Sequence, residues 1–416
     1  MVKRISVFDE MRVKLKPQPI INGDPMIRTG SLFTQILSLF QRSDFEGHVR
    51  ELKAEYHARG FSCWEQFVAM LFCQLAQARS LREISDGLKS CEGRLKHLGL
   101  EREPKRSTLS YANAHRPWEL FERLFYDLLE RCQGLPLKKK FRFKNRLLTL
   151  DSTTIELCAS MFDWAHWRQT KGAVKLHLLL DHEGYLPVFG HVSDGRVGDV
   201  KVAKSLDFPR GSIVAMDRGY VDYHLFTRWT REGVYFVTRL KANADIAQVE
   251  SREVPKGGNV LSDEIIRLQP FVAGRPDLED LRCVTVWLED KQEELVLLTN
   301  HFKLAASTIA AIYKERWQIE LFFKLLKQQL KIKTFVGTSA NAVRIQIWAA
   351  LIAVLVVRYL QFRSRFGWAV SNLVALLRWN LFSYRNLWEW LNRPFDTPPE
   401  MPPPLQLQLD SILKPS

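Results

Sequence analysis

Read for apolar and polar positions, the chain changes its period along its length. Up to about residue 145 apolar residues recur at helical spacing, as in Trp64 to Ala78. SLREISDGL opens the next such stretch, where Ser80 and Glu83 predict a capping box, each side chain satisfying an amide freed at the helix start. STLSYANAHRPWELFERLFYDLLERC then predicts a short helix followed by a longer one with Pro117 in its first turn. From 146 to 240 the pattern shortens. LLTLDSTTIEL is an apolar run ending at Asp151, and AVKLHLLLDHEGYLPVFGHVSD predicts two strands joined by a turn at Asp181 to Gly184. Val200 to Leu206 predicts a short helix, SIVAMDRGY a strand that stops at Asp217, Asp222 to Glu232 a helix and VYFVTRLK another strand.

The predicted order is three strands, helix, strand, helix, strand, with one aspartate in the first strand and another at the end of the fourth. Adjacent central strands of such a sheet bring together residues far apart in sequence. From 241 to 310 short strands such as CVTVWLED and ELVLLTN alternate with turns at Gly257, Gly258 and Gly274, predicting a β-rich insertion. YKERWQIELFFKLLKQQLK, Tyr313 to Lys331, reads as a strong helix; an apolar helix near Ile345 to Leu360 and further amphipathic helices to about Leu391 follow. The expected divisions are 1–145, 146–240, 241–310, 311–392 and a proline-rich tail, 393–416, containing DTPPEMPPP.

Charge narrows the partners. Sixty Lys and Arg against 46 Asp and Glu leave a formal charge of +14, which favours a polyanion such as nucleic acid. The basic run LKKKFRFKNR is a solvated linker or one that touches phosphates, and Arg106, Asn113, His115 and Arg116 mark a polar helix suited to a major groove or, almost as well, to a plain helical bundle. Cys63, Cys73, Cys91, Cys132, Cys158 and Cys283 show no C-x-x-C spacing, so neither a zinc ribbon nor a disulfide framework is indicated, and they suit a reducing cytoplasm. The longest apolar run, Ile347 to Val357, is bounded by Gln346 and Arg358; it is too short to cross a bilayer and reads as a buried helix, so no membrane partner is expected.

The chemistry concentrates on three segments. At about 100° per residue, and with Tyr313 at zero, Glu320 falls at about −20°, Lys327 at about −40° and Arg316 at about −60°. These four share a stripe, while Ile319, Phe322, Leu325 and Leu326 lie opposite, giving the helix a face to pack and a face for chemistry. A bland alternative is a solvated face with one Arg316–Glu320 pair. Asp151 and Asp217, beside apolar strand residues, are costly to bury without a compensating cation. Three carboxylates from two strands and a helix make a hard oxygen site suited to Mg²⁺ or Mn²⁺. Two such ions, roughly 4 Å apart, support in-line attack on phosphorus by water or a 3′-hydroxyl.

LLTLDSTTIEL, VAMDRGYVDY and the spacing Tyr313-x2-Arg316-x3-Glu320-x6-Lys327 resemble the three acidic motifs, including the Y-R-E-K signature, of the IS4 family of bacterial insertion-sequence transposases. The resemblance spans roughly Leu147 to Leu330, and the N-terminal SLREI and STLSYANAHRPWELFE stretches resemble the family's helical domain. It implies an α/β fold: an RNase H-like catalytic core with a β-rich insertion and an all-α N-terminal DNA-binding domain. It further implies Asp151, Asp217 and Glu320 as the catalytic, metal-binding triad, with Tyr313, Arg316 and Lys327 on DNA phosphates. Arg239 and Lys241, in TRLKAN, match a further DNA-contact position. The implied partners are double-stranded DNA, as terminal inverted repeats and target, and a second copy in the synaptic complex. The implied reactions are end cleavage, hairpin formation and reopening, and strand transfer by a cytoplasmic, nucleoid-associated enzyme.

Other signals are weaker. Trp287 is a candidate stacking surface for a flipped base, although its neighbours Val284, Val286 and Leu288 suit a strand core. Asp199 matches a family motif in which histidine usually precedes the aspartate, a place taken here by Gly198. His166, His177, His182 and His191 lack zinc-motif spacing and are expected to be structural; Glu156, Asp194 and Asp222 are not assigned to metal. Two other readings compete: a DNA-binding derivative that no longer cuts, weakened by the presence of all three acids, and a structure-selective nuclease, which has no need of the Y-R-E-K helix with so large an insertion.

Overall fold

The computed structural model describes residues 5–6, 30–56, 58, 60–91, 95–136, 141, 143–157, 166–168, 171–254, 257–268, 280–329 and 335–396. The proline-rich tail beyond residue 396 and half of the basic run at 137–146 lie outside the described residues. The chain divides into two compact units, one of residues 1–17 with 133–328, the other of 18–132 with 329–416.

In the first unit the strands are β1 (Ile5–Ser6), β2 (Leu147–Leu157), β3 (His166–Arg168), β4 (Lys171–Asp181), β5 (Leu186–Asp194), β6 (Leu206–Asp207), β7 (Ile213–Met216), β8 (Tyr235–Arg239), β9 (Ile246–Ser251), β10 (Val260–Leu268), β11 (Leu281–Leu288) and β12 (Glu293–Thr299). All but β1 and β6 join a 10-stranded mixed sheet in the order β3-β4-β2-β7-β8-β12-β11-β10-β9, with β5 on β4. Strands β2, β4 and β5 form the expected antiparallel meander, while β7 runs parallel to β2 and β8 parallel to β7.

The expected β-rich insertion continues this sheet. Strand β12 runs antiparallel to β8 through Thr299↔Val237 and Leu297↔Arg239. Asn300 ties the join: its Oδ1 accepts the Phe236 amide at 2.9 Å and its Nδ2 donates to the Val234 carbonyl at 3.0 Å. Farther out, Arg282 forms a buried two-pronged pair with Asp263, at 2.8 and 2.7 Å.

Alternation along β2 and β7 gives the sheet two working faces. Leu147, Ile213, Ala215 and Val237 pack with Val284, Leu297 and the Ala306–Glu315 helix through Ile309, Ile312 and Tyr313. Ile309 and Ile312 are fully buried there, worth about 1.5–3 kcal/mol each. Another layer is the Tyr223–Glu232 helix, whose Phe226 stacks on Phe236 of β8 with ring centroids 4.0 Å apart. Asp222 caps that helix by accepting the Leu225 amide at 2.9 Å.

The second unit is helical. Helices Leu32–Leu37, Arg42–Glu51, Cys63–Leu75, Leu81–Lys89, Arg106–His115 and Glu119–Gln133 group with Ala340–Arg363, Val370–Asn380 and Leu387–Asn392. The expected 311–392 segment is thus divided at residue 328, its later helices clustering with the N-terminal ones. The amides of Leu32 and Phe33 donate to the carbonyls of Ser383 and Leu381, at 3.0 and 2.8 Å. Ala340–Arg363 is long and apolar enough to cross a membrane, but it is buried against Cys63–Leu75, Arg106–His115 and Val370–Asn380. At Ser80 half of the expected capping box forms: Ser80 accepts the Glu83 amide, while the Glu83 carboxylate takes the amide of Arg79, one residue before the cap. The full reciprocal box lies at Ser62 and Glu65 in SCWE.

Candidate active site

Parallel pairing brings the two aspartates together. Register runs Leu147↔Ile213 to Leu150↔Met216, so Asp151 and Asp217 occupy the next step on neighbouring strands, which lie about 4.8 Å apart. Asp217 stands just beyond β7. Its carboxylate accepts the Gly219 amide, and its carbonyl accepts the Thr238 hydroxyl of β8 at 3.1 Å. Gly219 permits this approach, because a Cβ there would lie 2.8 Å from Asp217 Oδ1. Asp151 Oδ1 accepts the Ser152 amide at 2.8 Å.

The expected long helix arrives in pieces: Ala306–Glu315, Trp317–Lys324 and a π-helical turn, Leu325–Gln329. Around Arg316 the ladder tightens: Arg316 donates to the Tyr313 carbonyl at 3.1 Å and Ile319 to the Arg316 carbonyl at 3.2 Å, i to i−3 spacing. The stripe drawn on an ideal α-helix is therefore rewound, yet its central members still meet. Arg316 Nη2 donates to Glu320 Oε1 at 2.8 Å and Nη1 to Asp151 Oδ2 at 3.3 Å. The guanidinium also lies 5.6 Å from the centroid of the buried Tyr313 ring. Lys327 Nζ donates to the Thr154 carbonyl of β2 at 3.1 Å. Arg239 lies 6.0 Å from the Tyr313 ring centroid and pairs with Glu293 at 3.7 Å, while Lys241 donates to the Val221 carbonyl at 3.2 Å.

Burial dominates the electrostatics. It pushes the Asp151 carboxyl up from 3.8 to about 7; the Ser152 amide and Arg316 work against that rise, while the charges of Asp217 and Glu320 add to it. Burial likewise raises the Tyr313 hydroxyl, against the pull of Arg316 and Arg239. Asp151 thus feels the like charges of Asp217 and Glu320 in a buried setting. Three hard carboxylate oxygens in that condition fit a divalent cation in chemical kind. Arg316 holds part of that counter-charge, and among the described residues no three ligand side chains are drawn close enough to grip an ion.

A second polar cluster lies next to Asp151. Asp199 accepts from Ser152 Oγ at 2.6 Å and Lys175 Nζ at 3.3 Å, and His177 Nδ1 stands 3.6 Å away. Though Gly198 precedes Asp199 in sequence, an imidazole approaches it across space from β4. His177 is fully buried, its Nε2 is 2.9 Å from Ser193 Oγ, and burial lowers its pKa to about 4.

The structure also sorts the remaining candidates. Asn113 is buried and its Oδ1 accepts from Gln66 at 2.8 Å, and Arg116 donates to the carbonyls of Ser62 and Phe61, so these two serve the helical unit rather than a groove. Arg106, Tyr111 and His115 are exposed on the same helix. Trp287 is half-buried on β11. Trp317, 55% exposed beside Arg316, was hidden in the sequence by the apolar pattern around it. Asp194 accepts the Arg196 amide at 2.9 Å, Glu156 is exposed on β2, and the side chain of His166 lies outside the described residues.

Residues 142–356, half of the chain and the whole of the cluster above, match the family described as the transposase DDE domain. The chain belongs to the DDE transposases. Membership of this family implies a divalent metal requirement. Residues 28–101 match a domain of unknown function, DUF4372. The chain is similar to a putative transposase, y4zB, of Sinorhizobium fredii, with 32% identity over 68% of this chain and 79% of the relative. It is also similar to a probable transposase for insertion sequence element IS5377 of Geobacillus stearothermophilus, with 28% identity over 61% of this chain and 67% of that one. A putative transposase for element IS4SA of Synechocystis is 26% identical over 65% of this chain and 76% of its own length. The solved piggyBac transposase synaptic complex with hairpin DNA matches over 84% of this chain and 79% of that one at 11% identity, with a TM-score of 0.41, too loose to carry a fold argument.

Proposed function

We propose that the chain is an insertion-sequence transposase that binds terminal inverted repeats and moves its element by cut-and-paste transfer, with Asp151, Asp217 and Glu320 as its metal-binding triad. The observation that carries this reading is the meeting of three segments: register sets Asp151 beside Asp217, and Arg316 joins Asp151 to Glu320. The strand order β5-β4-β2-β7-β8, antiparallel for the first three strands and parallel thereafter, supports an RNase H-like core. Within the helical unit, Arg106, Tyr111 and His115 supply the exposed face for DNA.

When bound, Mg²⁺ or Mn²⁺, two ions in this reading, would supply Lewis-acid stabilisation of the negative charge that builds on the oxygens around phosphorus. The chain's own residues set the rest. Asp151 and Asp217 hold their carboxylates on adjacent strands, the latter pinned by Gly219 and Thr238. With a cation held by the three acids, Arg316 would be free to present its planar fork to a phosphate, with Tyr313 beside the guanidinium. Lys327 gives a point charge to the cleaved end. Trp317 offers a plane for an unstacked base, and Arg239 and Lys241 extend the basic margin. Two element ends must be joined, so a dimeric DNA complex is expected.

Hairpin formation is read on a denaturing gel, using an end-labelled duplex that carries the element's terminus. A hairpin end migrates as a strand of twice the length and collapses on reopening. Linear cleavage products alone, at every time point, would refute the hairpin route while leaving the triad intact.

A further inference from the structure

We infer that Thr149, His182, Tyr185 and Glu315 form a buried latch that sets the spacing of Asp151 and Glu320, an inference that rests on the metal-site reading above. Thr149 precedes Asp151 by two residues and so lies on the same face of β2. It is fully buried, and its Oγ1 lies 2.7 Å from His182 Nε2. His182 begins the turn after β4, where its amide donates to the Leu147 carbonyl at 3.1 Å. From the same turn the Tyr185 hydroxyl donates to Glu315 Oε2 at 3.0 Å, and His182 Nδ1 stands 3.9 Å from the same oxygen. Glu315 is buried, at 5% exposure, and immediately precedes Arg316.

One face of β2 therefore carries three levels in succession: Leu147 in the apolar cluster with Ile309 and Ile312, Thr149 in the latch, and Asp151 on Arg316 and Glu320. The plain alternative is a set of core polar groups that happen to satisfy one another. Two features exceed it. Apolar packing through Ile309 and Ile312 already attaches the helix to the sheet, so a buried glutamate adds cost unless its directional bonds do something packing cannot. Packed methyl groups tolerate sliding along the strand, whereas hydrogen bonds of fixed geometry set the register. Tyr185, moreover, sits at φ +54°, in the left-handed region that a bulky L-residue rarely enters. That backbone places the hydroxyl on Glu315. Strain held in a turn and spent on one contact with the helix of Arg316 and Glu320 is what a positioning role requires.

The test uses the full chain and Mn²⁺ as probe, with affinity measured by electron paramagnetic resonance or calorimetry in the absence of DNA. Thr149→Val and Tyr185→Phe each delete one hydrogen bond with little change of volume. Ile309→Val is the structural control, since it loosens the same helix-to-sheet interface without touching the latch. Thermal unfolding of every variant registers folding. The latch variants are expected to bind Mn²⁺ about tenfold more weakly, the scale of supporting-residue effects at metal sites, while Ile309→Val stays within about twofold of wild type. Latch variants within twofold of wild type, or an equal loss in Ile309→Val, would overturn the latch and leave the metal site standing. Mn²⁺ binding that survives both Asp151→Ala and Glu320→Ala would overturn the metal-site reading, and the latch with it.

Discussion

Asp151→Asn should stabilise the metal-free protein while removing its activity. The Asp151 carboxyl is raised from 3.8 to about 7, chiefly by burial. A rise of roughly three units, at about 1.4 kcal/mol per unit, sets a ceiling of about 4 kcal/mol on the cost of ionising it in the fold. Relaxation of Arg316 and solvent around the charge keeps the measured gain between about 1 and 4 kcal/mol. The folded state holds this proton more tightly than the unfolded chain, so the wild-type protein loses stability as pH rises from about 4 through 7 and the loss levels off above that. Asparagine has no such charge. Urea denaturation in EDTA should therefore show Asp151→Asn more stable than wild type at pH 8, by a margin that shrinks at pH 5. A variant that is less stable at pH 8, or whose advantage is the same at both values, would refute the reasoning.

Gly219→Ala places a methyl group 2.8 Å from Asp217 Oδ1, so it should shift that carboxylate and cut DNA cleavage about a hundredfold with little change in melting temperature; normal cleavage by the variant would show that Asp217 has room to spare. Arg282→Ala strands Asp263 in the sheet, and urea melts should show a loss of about 3–5 kcal/mol. Ser62→Ala removes the cap of the Cys63–Leu75 helix and should cost about 1 kcal/mol by the same measurement. Lys327→Ala should leave Mn²⁺ affinity within about twofold while slowing end processing, which calorimetry and a cleavage time course separate.

The candidate site's geometry was legible wherever local pattern carries it. Asp151 and Asp217 each end an apolar run, and helical spacing alone groups Arg316 with Glu320, as the pair at 2.8 Å shows. Apolar runs likewise marked β2, β4 and β5, each of which carries a stretch of consecutive buried positions. Properties that depend on distant packing were not legible. Asn113 and Arg116 look like groove-facing polar residues until Gln66 and the carbonyls of Phe61 and Ser62 claim them. The grouping of Ala340–Arg363 with the N-terminal helices rests on contacts between segments remote in sequence. The tightening at Arg316 and the π-helical turn after Lys324 depart from the uniform rotation on which any stripe is drawn. Thr149 and Glu315 gave no signal and His182 read only as a structural histidine, since each is an ordinary residue until the fold places it.

The central claim is that Asp151, Asp217 and Glu320 serve one metal-dependent phosphodiester site. It is tested most directly by incubating purified protein with Mg²⁺ and DNA carrying the inverted repeats that flank its gene, beside Asp151→Ala, Asp217→Ala and Glu320→Ala. The account predicts cleavage at the repeat ends by wild type, its loss on adding EDTA, and none by any of the three variants. Cleavage that persists in all three would contradict it.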